Sequence, residues 1–425
     1  MRARFFIPGL LPFVLATVSH AADSQPMPIR IGLCHYFAHA TTVLISSASG
    51  FTIKDAASGR TLAHGSAKTV YRIAPTDKGL TLTREDYGAA PKPSNQDAPV
   101  TVSADSNAYV KVARLDSSAK TGSCGQWHTY RGVLTVRRQP DRTVQIIDTV
   151  PLEQYLYGVI PAEIGADVPM EAMKAQAVAA RTYALKNRSK FGSEGFDLDD
   201  TTRCEGYAGV EGETTLSNAA VDATRGQVLT YHGALIDAPY STDSGGETAC
   251  DINGDCPYLQ AVRDAPAKDG PDYACTGKYH TWSKEYTPSE LSAALARDPR
   301  THVAKFVSLA IDGTDASGRI TTATVAGSDG TMKTVTGPQL RQILGYDVLR
   351  STLVTLTVTA EGNYRFDGKG WGHGLGMSQD GAVAMASLPY HHSYKEILEH
   401  YYVGTALVHA ATLPDISVAS APRGL

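Results

Sequence analysis

The stretch "YLYGVIPAEIGADVPMEAMKAQAVAARTYALKNRSK", Tyr155 to Lys190, sets the reading of the chain. It opens on an apolar run and closes on a long helical pattern. Between them lies Glu163, set between Pro161 and Pro169. Proline at the first helical position and Glu171 in the first turn predict a helix starting at Pro169. Met173, Ala177, Ala180 and Ala184 step by 4, 3 and 4, so they share one face. Small residues on that face let a neighbouring element approach closely, which is the pattern of a core. Glu163 is then expected in the loop just before this helix. Two readings of it stand side by side: a carboxylate whose head reaches water at a turn, or a partly desolvated acid. Burial disfavours the charged form, raises the pKa and suits a general acid near neutral pH.

Upstream, residues 28–150 are predicted to be β-rich. Short segments such as "GFTIKD", "LTLTRE", "YVKVARL", "GVLTVRR" and "TVQIIDTV" carry β-branched residues in alternation or clusters, punctuated by Gly, Asp, Asn and Pro. Gly88–Val100 reads as a Pro-rich polar loop, and no solenoid-length repeat is present. Downstream, residues 151–410 mix helices and strands without regular βαβ alternation. "GQVLTY" and "ALIDAPYS" flank a His232-Gly233 turn and predict a hairpin. Thr287 with Glu290, and Ser393 with Glu396, predict two capping boxes. The fold class is therefore α+β, a β-rich N-terminal part followed by interleaved strands and a few helices around a cleft, with a loose tail over residues 411–425.

The 425 residues carry a formal net charge of −4 and are 42% hydrophobic, enough for one large or two modest cores. No basic run or aromatic-basic stripe points to nucleic acid or an anionic membrane surface. Residues 1–21 read as an export signal: Arg2 and Arg4, a short apolar stretch broken by prolines, and "SHA" before the cleavage point. Their removal takes the net charge to about −6. Export places the mature chain in a periplasmic, extracellular or cell-wall setting and makes disulfides the first reading of the six cysteines. A Cys250–Cys256 loop is one of many pairings; six cysteines allow 15 connectivities.

Two further stretches carry candidate chemistry. In "GKGWGHGLGMSQDGAVAMA", Gly368 to Ala386, five glycines alternate with Lys369, Trp371, His373 and Leu375. Glycine lets backbone approach a ligand closely, and Ser378 and Gln379 follow at once. The alternative is a sharp structural turn. "YSTDSGGETACDINGDCPYL", Tyr240 to Leu259, ends a strand in hydroxyls and glycines. "DINGD" resembles the start of a calcium loop but lacks the Gly and Glu such a loop needs. Cysteine and histidine spacings do not match the usual close zinc pairs.

Taken together these stretches resemble the SpoIID/LytB family, stage II sporulation protein D and its relatives. "PLEQYLYGVIPAEIGADVPMEAMKAQAVAARTYAL", "TTRCEGYAGVEGE", "AVDATRGQVLTYHGALIDAPYSTDSGG", "PYLQAVRD" and "GKGWGHGLGMSQDGAVAMA…YKEILEHYYVGT" follow in the family's order, across roughly residues 28–408. The resemblance implies a lytic transglycosylase cutting the bond between N-acetylmuramic acid (MurNAc) and N-acetylglucosamine (GlcNAc) in peptidoglycan strands stripped of their peptides. The product end is 1,6-anhydro-MurNAc. It places the catalytic acid/base at Glu163. The alternative within the family is a non-catalytic, glycan-binding enhancer of an N-acetylmuramoyl-L-alanine amidase. The expected partners are thus glycan strands and an amidase. Expected sugar-binding residues are Gln176, Arg181, Tyr183, Tyr207, Ser241, Ser244, His373, Ser378 and Gln379. Arg181 lies off the face shared by Gln176 and Tyr183, which leaves a structural ion pair open for it. Some relatives hold zinc near "TTRCEGY"; here only Cys204 of such a ligand set is present, so no metal or other cofactor is expected.

Overall fold

The computed structural model describes residues 27–85, 94–96, 98–106, 108–115, 124–251, 254–267 and 269–414. The export segment, much of the Gly88–Val100 loop and residues 415–425 lie outside them. The front of the chain forms two antiparallel-rich sheets. One runs in the order Leu198–Asp199, Pro28–Gly32, Val144–Pro151, Val133–Arg138, Val100–Ala104, Phe51–Asp55, Thr61–Gly65. The other runs Cys124–Tyr130, Val110–Leu115, Val43–Ser47, Tyr71–Pro75, Leu80–Arg84, Ser94–Gln96. Side chains alternate in and out along Phe51–Asp55, Leu80–Arg84 and Val133–Arg138, as a half-buried strand demands, whereas Val43–Ser47 is buried throughout. Phe51, Ile53, Val100 and Val102 from the first sheet share a core with Val43, Ile45, Ile73 and Val110 from the second.

The strand Val144–Pro151 runs straight into helix α1, Leu152–Ile164. Leu152, Tyr155, Leu156, Val159 and Ile160 are buried, the spacing of one helix face. Glu163 therefore lies in the last turn of α1 and not in the expected loop. Pro161 sits near the C-terminal end, where its missing N–H removes one bond of the ladder and the turn after it closes with Gly165 N–H on Pro161 O at 3.2 Å. Gly165 then takes φ +96°, a conformation that glycine tolerates and that stops the helix.

Helix α2, Met170–Lys186, is capped by Pro169 and is central. Its Met173, Ala177, Ala180 and Ala184 face the β-rich core, as their spacing predicts. Ala175, Val178 and Ala179, on the other side, join a second core with Leu229, Ile236, Met377, Ile397, Tyr401 and Tyr402. A helix buried on both faces needs small side chains, because two layers must close on it at once.

After α3 (Thr215–Ala223) comes the expected hairpin. Gln227–Tyr231 pairs with Ala234–Leu235, and His232 and Gly233 both take positive φ. The chain then leaves the hairpin. Tyr240–Ser241 pairs in parallel with Met377–Ser378. Between these two short strands lies a third core of its own, built from Trp282, Leu291, Leu309, Val325, Leu340 and Phe366. It holds two three-stranded sheets and helices α4 (Pro288–Leu295) and α5 (Gly337–Leu344). Helices α6 (Gln379–Ala386) and α7 (Tyr394–Tyr401) complete the second core. The capping boxes Thr287/Glu290 and Ser393/Glu396 are both formed. The structure is 22% helix and 34% strand, an α+β fold.

Candidate functional site

Glu163 comes from the C-terminal turn of α1, where unpaired carbonyls and the helix dipole both disfavour a negative charge. Its carboxyl is desolvated, and this is the main cause that raises its pKa above the ordinary glutamate value. Two hydrogen bonds work the other way: Gly206 N–H donates to Oε1 at 2.5 Å, and the Gln379 amide also engages the carboxyl. No cation figures among the causes of the shift. The arrangement favours a carboxylic acid that holds its proton yet keeps donors ready for the anion.

The opposite wall is built by the parallel pair Tyr240–Ser241 and Met377–Ser378. Gly372 (φ +124°) allows this close packing, since a Cβ there would overlap the Ser241 side chain. Ser378 caps α6 by accepting from Gly381 N–H at 3.2 Å, which aims the next residue, Gln379, inward. Gln379 Nε2 donates to Gln176 Oε1 at 3.4 Å. Gln176 is fully buried on α2, and its own Nε2 has no hydrogen-bond partner. Glu163, Gln379 and Gln176 thus form one polar line across the two elements.

Beneath it lies a second carboxyl that sequence reasoning missed. Glu205 is fully buried and receives the Tyr240 hydroxyl on Oε1 at 2.9 Å and the Tyr155 hydroxyl on Oε2 at 3.1 Å. Burial, and then the neighbouring charge of Glu163, hold it well above the usual carboxylate range. The signal was present in "TTRCEGY", next to Gly206, but nothing local says which face of that irregular segment turns inward.

A second cluster fixes the Ser244-Gly245-Gly246 turn. Ser244 Oγ donates to Asp264 Oδ2 at 2.5 Å, and Tyr401 OH donates to Asp264 Oδ1 at 2.6 Å. Asp243 accepts Gly245 N–H at 2.7 Å and faces His280 Nδ1 at 3.2 Å, while His280 Nε2 meets Asp272 at 3.0 Å. Asp380 is pushed up to about 6 by burial and by Asp243 and Asp264. These contacts lock the turn to the glycine-rich ribbon, which pairs Trp371 with Asp243 through backbone bonds of 2.9 and 3.1 Å.

Residues 140–231, which hold Glu163 and Glu205, match the family described as "Stage II sporulation protein". Residues 267–376 match a domain family of unknown function, DUF8618, which spans the third core. The chain is 34% identical to an uncharacterised protein of Brachyspira hyodysenteriae over 273 residues, 63% of this chain and 69% of that protein. It is 30% identical to stage II sporulation protein D of Bacillus subtilis over 295 residues, 63% of this chain and 77% of that protein. The chain belongs to the stage II sporulation protein D family. It is also 34% identical to the amidase enhancer of Bacillus subtilis, but spans only 40% of that longer protein.

In this family member the other expected sugar-binding residues are placed unevenly. Ser241 accepts Gly374 N–H at 3.3 Å, and Ser244 accepts Gly246 N–H at 3.2 Å, so both are buried in the framework of the turn. His373 is exposed, its Nδ1 accepting Leu375 N–H at 3.0 Å. Tyr183 is half-buried and receives Lys190 Nζ at 3.1 Å. Tyr207 is in the core, donating to the buried Asp148 at 3.0 Å. Arg181 is fully buried. It holds Glu153 through two bonds of 2.9 and 2.7 Å and spends its other N–H groups on the carbonyls of Ala177, Val221 and Gln227. The packing gives Arg181 the structural ion pair and leaves it no N–H aimed at the Glu163 side.

Around Cys204 the residues do not fit zinc. Arg203 pairs with Asp199, and Lys190 Nζ donates to Arg203 O at 2.7 Å, so cations stand where further ligands would be needed. Cys34, Cys204, Cys250, Cys256 and Cys275 are unpaired among the described residues, so the Cys250–Cys256 pairing, one of those left open, is not formed there. Cys256 N–H instead anchors its loop on Asp251 Oδ2 at 2.7 Å. Cys34 is pushed up to about 11 by burial and by Asp200 and Asp199. Among the described residues no helix is long and apolar enough to cross a membrane.

Proposed function

We propose that this chain is an exported lytic transglycosylase that cuts the MurNAc-GlcNAc bond of peptide-stripped peptidoglycan strands, with Glu163 as acid and base. The observation that carries this reading is one desolvated carboxyl at a helix C-terminus, with N–H donors and no cation beside it. A hydrolase commonly needs two carboxyls flanking the sugar, one to act on water or on C1. A transglycosylase needs one. Glu163 gives its proton to the bridging oxygen as the C1–O bond breaks. The carboxylate then takes the proton of the C6 hydroxyl as that oxygen bonds to C1. The products are a free GlcNAc 4-hydroxyl and a 1,6-anhydro-MurNAc end, and Glu163 is protonated again. Because the nucleophile belongs to the substrate, no water needs to be positioned, and proximity is built in. Gly206 N–H and the Gln379 amide stabilise the carboxylate in the interval between the two transfers. Gln176, fully buried behind them, accepts from Gln379 Nε2 and so orients that amide.

Membership in a family with a sporulation protein and an amidase enhancer supports a cell-wall role. The second reading, a glycan-binding enhancer of an amidase, draws on the name of that relative. Mass spectrometry of products from amidase-stripped strands separates them. Anhydro-MurNAc ends are expected from the native protein and are expected to vanish with Glu163→Gln. Intact strands, together with faster turnover by an added amidase, would replace the first reading by the second.

A further inference from the structure

We propose that a cleft on the third core is a subsite for the free lactyl carboxylate of a peptide-stripped MurNAc unit, with Arg350 as its anion-binding residue. The inference rests on the reading of peptide-stripped strands as the substrate, but the cleft is separate from the Glu163 site. It has a volume of about 300 Å³ and is lined by Trp282, Ser283, Lys284, Asp347, Val348 and Arg350. The first three come from the strand Thr281–Tyr286, the others from the segment that follows α5. Trp282 and Val348 supply apolar surface, and the indole is fixed by Nε1–H donating to Gly370 O at 2.9 Å. Ser283, Lys284 and Asp347 are exposed, and Arg350 is half-buried. Apolar surface beside a few placed polar groups is the make-up of a small-molecule site. It suits a sugar ring, which presents C–H faces together with hydroxyls.

Arg350 decides which part of the sugar is read. Its guanidinium lies over the rings of Tyr279 and Trp371, 5.3 Å from each centroid, and those rings meet edge to face at 4.2 Å. Two aromatic faces thus hold the side chain. Among the described residues its N–H groups make no hydrogen bond and no ion pair. An arginine that is held in place with its donors unspent is preorganised for an anion, and its planar fork matches a carboxylate through two bonds. Lys284, with Nζ 5.1 Å from the Tyr286 ring centroid, adds a second positive charge. Asp347 pairs with neither cation among the described residues, so it is available to accept the acetamido N–H of an amino sugar. An amidase that removes the peptide turns the lactyl amide of MurNAc into a carboxylate. Charge at that group is therefore what separates a stripped ring from an unstripped one. The glycine-rich ribbon joins the cleft to the acid. Gly372 N–H donates to Arg350 O at 2.9 Å, and the ribbon continues through Ser378 to Gln379, which engages Glu163. The nine steps from Gly370 to Gln379 span at most about 32 Å, which a strand of several sugars bridges.

The experiment is isothermal titration calorimetry on the full chain carrying Glu163→Gln, which leaves strands uncut, with and without Arg350→Ala. The probes are amidase-stripped strands and the same strands with the lactyl carboxyl capped as a methylamide. Arg350→Ala is expected to weaken binding of stripped strands about tenfold, the loss of a charge-assisted bond, and to leave binding of capped strands within about twofold. Lys284→Ala, at an exposed position, is expected to weaken stripped strands to a smaller degree, and Arg350→Lys to restore only part of the affinity, because an ammonium lacks the fork. Equal affinity of the parent chain for both strands overturns the proposal. So does an equal loss on both with Arg350→Ala, no loss on either, or no binding of stripped strands at all. Cleavage by the native protein is assayed separately. Strands bound through Arg350 but left uncut keep the subsite and remove only the transglycosylase reading. Stripped and capped strands cut equally well by the native protein and by Arg350→Ala remove the subsite and keep that reading.

Discussion

Helix α1 carries a half-buried glutamate at each end, and the two are solved in opposite ways. Glu153, in the first turn, sits at the favourable end of the dipole and is matched by the guanidinium of Arg181 through two bonds, with Gly226 N–H adding a third at 3.1 Å. Glu163, in the last turn, sits at the unfavourable end and has an acid, not a cation, for a neighbour. The first arrangement keeps charge and locks α1 to α2. The second withholds a cation, and burial raises the pKa of the carboxyl. A buried carboxyl reads as framework when its charge is neutralised, and as chemistry when it is not.

The comparison can be broken most sharply at Glu163. Glu163→Gln should keep the fold, with an unchanged melting temperature, and lose about 10²–10⁴-fold in release of anhydro ends, the usual share of a general acid. At the other end, Glu153→Gln should do the reverse. It leaves Arg181 buried without its partner, so a loss of about 3–5 kcal/mol in urea unfolding is expected. Cleavage per folded molecule should stay near the native value. Equal effects of the two changes on stability would remove the distinction. A finer probe is Gly206→Ala. Its added methyl would stand 3.3 Å from Glu163 Oε1, tight contact on the carboxyl alone. A several-fold lower kcat with little change in stability is expected from steady-state kinetics and melting.

The smallest effect concerns buried acids away from the site. Asp148 is pushed up to about 7 by burial, despite the Tyr207 hydroxyl, and Asp200 to about 7 mainly by burial. An acid whose pKa is raised on folding binds its proton more tightly in the native state. Stability is then fullest below the ordinary range near 4 and declines as pH rises towards 7. Asp148→Asn should flatten part of that decline, read as urea midpoints between pH 4 and pH 8. A midpoint that rises with pH in the native chain and is untouched by the substitution would contradict the assigned burial effect.

Much of the framework was legible before any coordinates. The Thr287/Glu290 and Ser393/Glu396 caps, the His232-Gly233 turn and the small-residue face of α2 are short-range features, decided within a few residues. Glu163 is expected in a loop because the helix pattern starts only at Pro169, whereas the packing of Tyr155, Leu156, Val159 and Ile160 builds a separate helix through Pro161. The second face of α2 escaped notice because alanine and valine there carry little periodic contrast. The third core was not separated from the rest, since its strands look like any others until they pair with one another.

The sequence by itself determined the α+β class and the family resemblance, and through that resemblance it pointed to Glu163 as the candidate acid, because these rest on local pattern and on ordered motifs. Only the tertiary structure decided what surrounds that acid. Glu205 lies 42 positions away, Gln379 more than 200, and Arg181 meets Glu153 across 28. Such pairings depend on how helix, strand and irregular segment close on one another, and whether a carboxyl is neutralised or left to hold its proton is set by that closure.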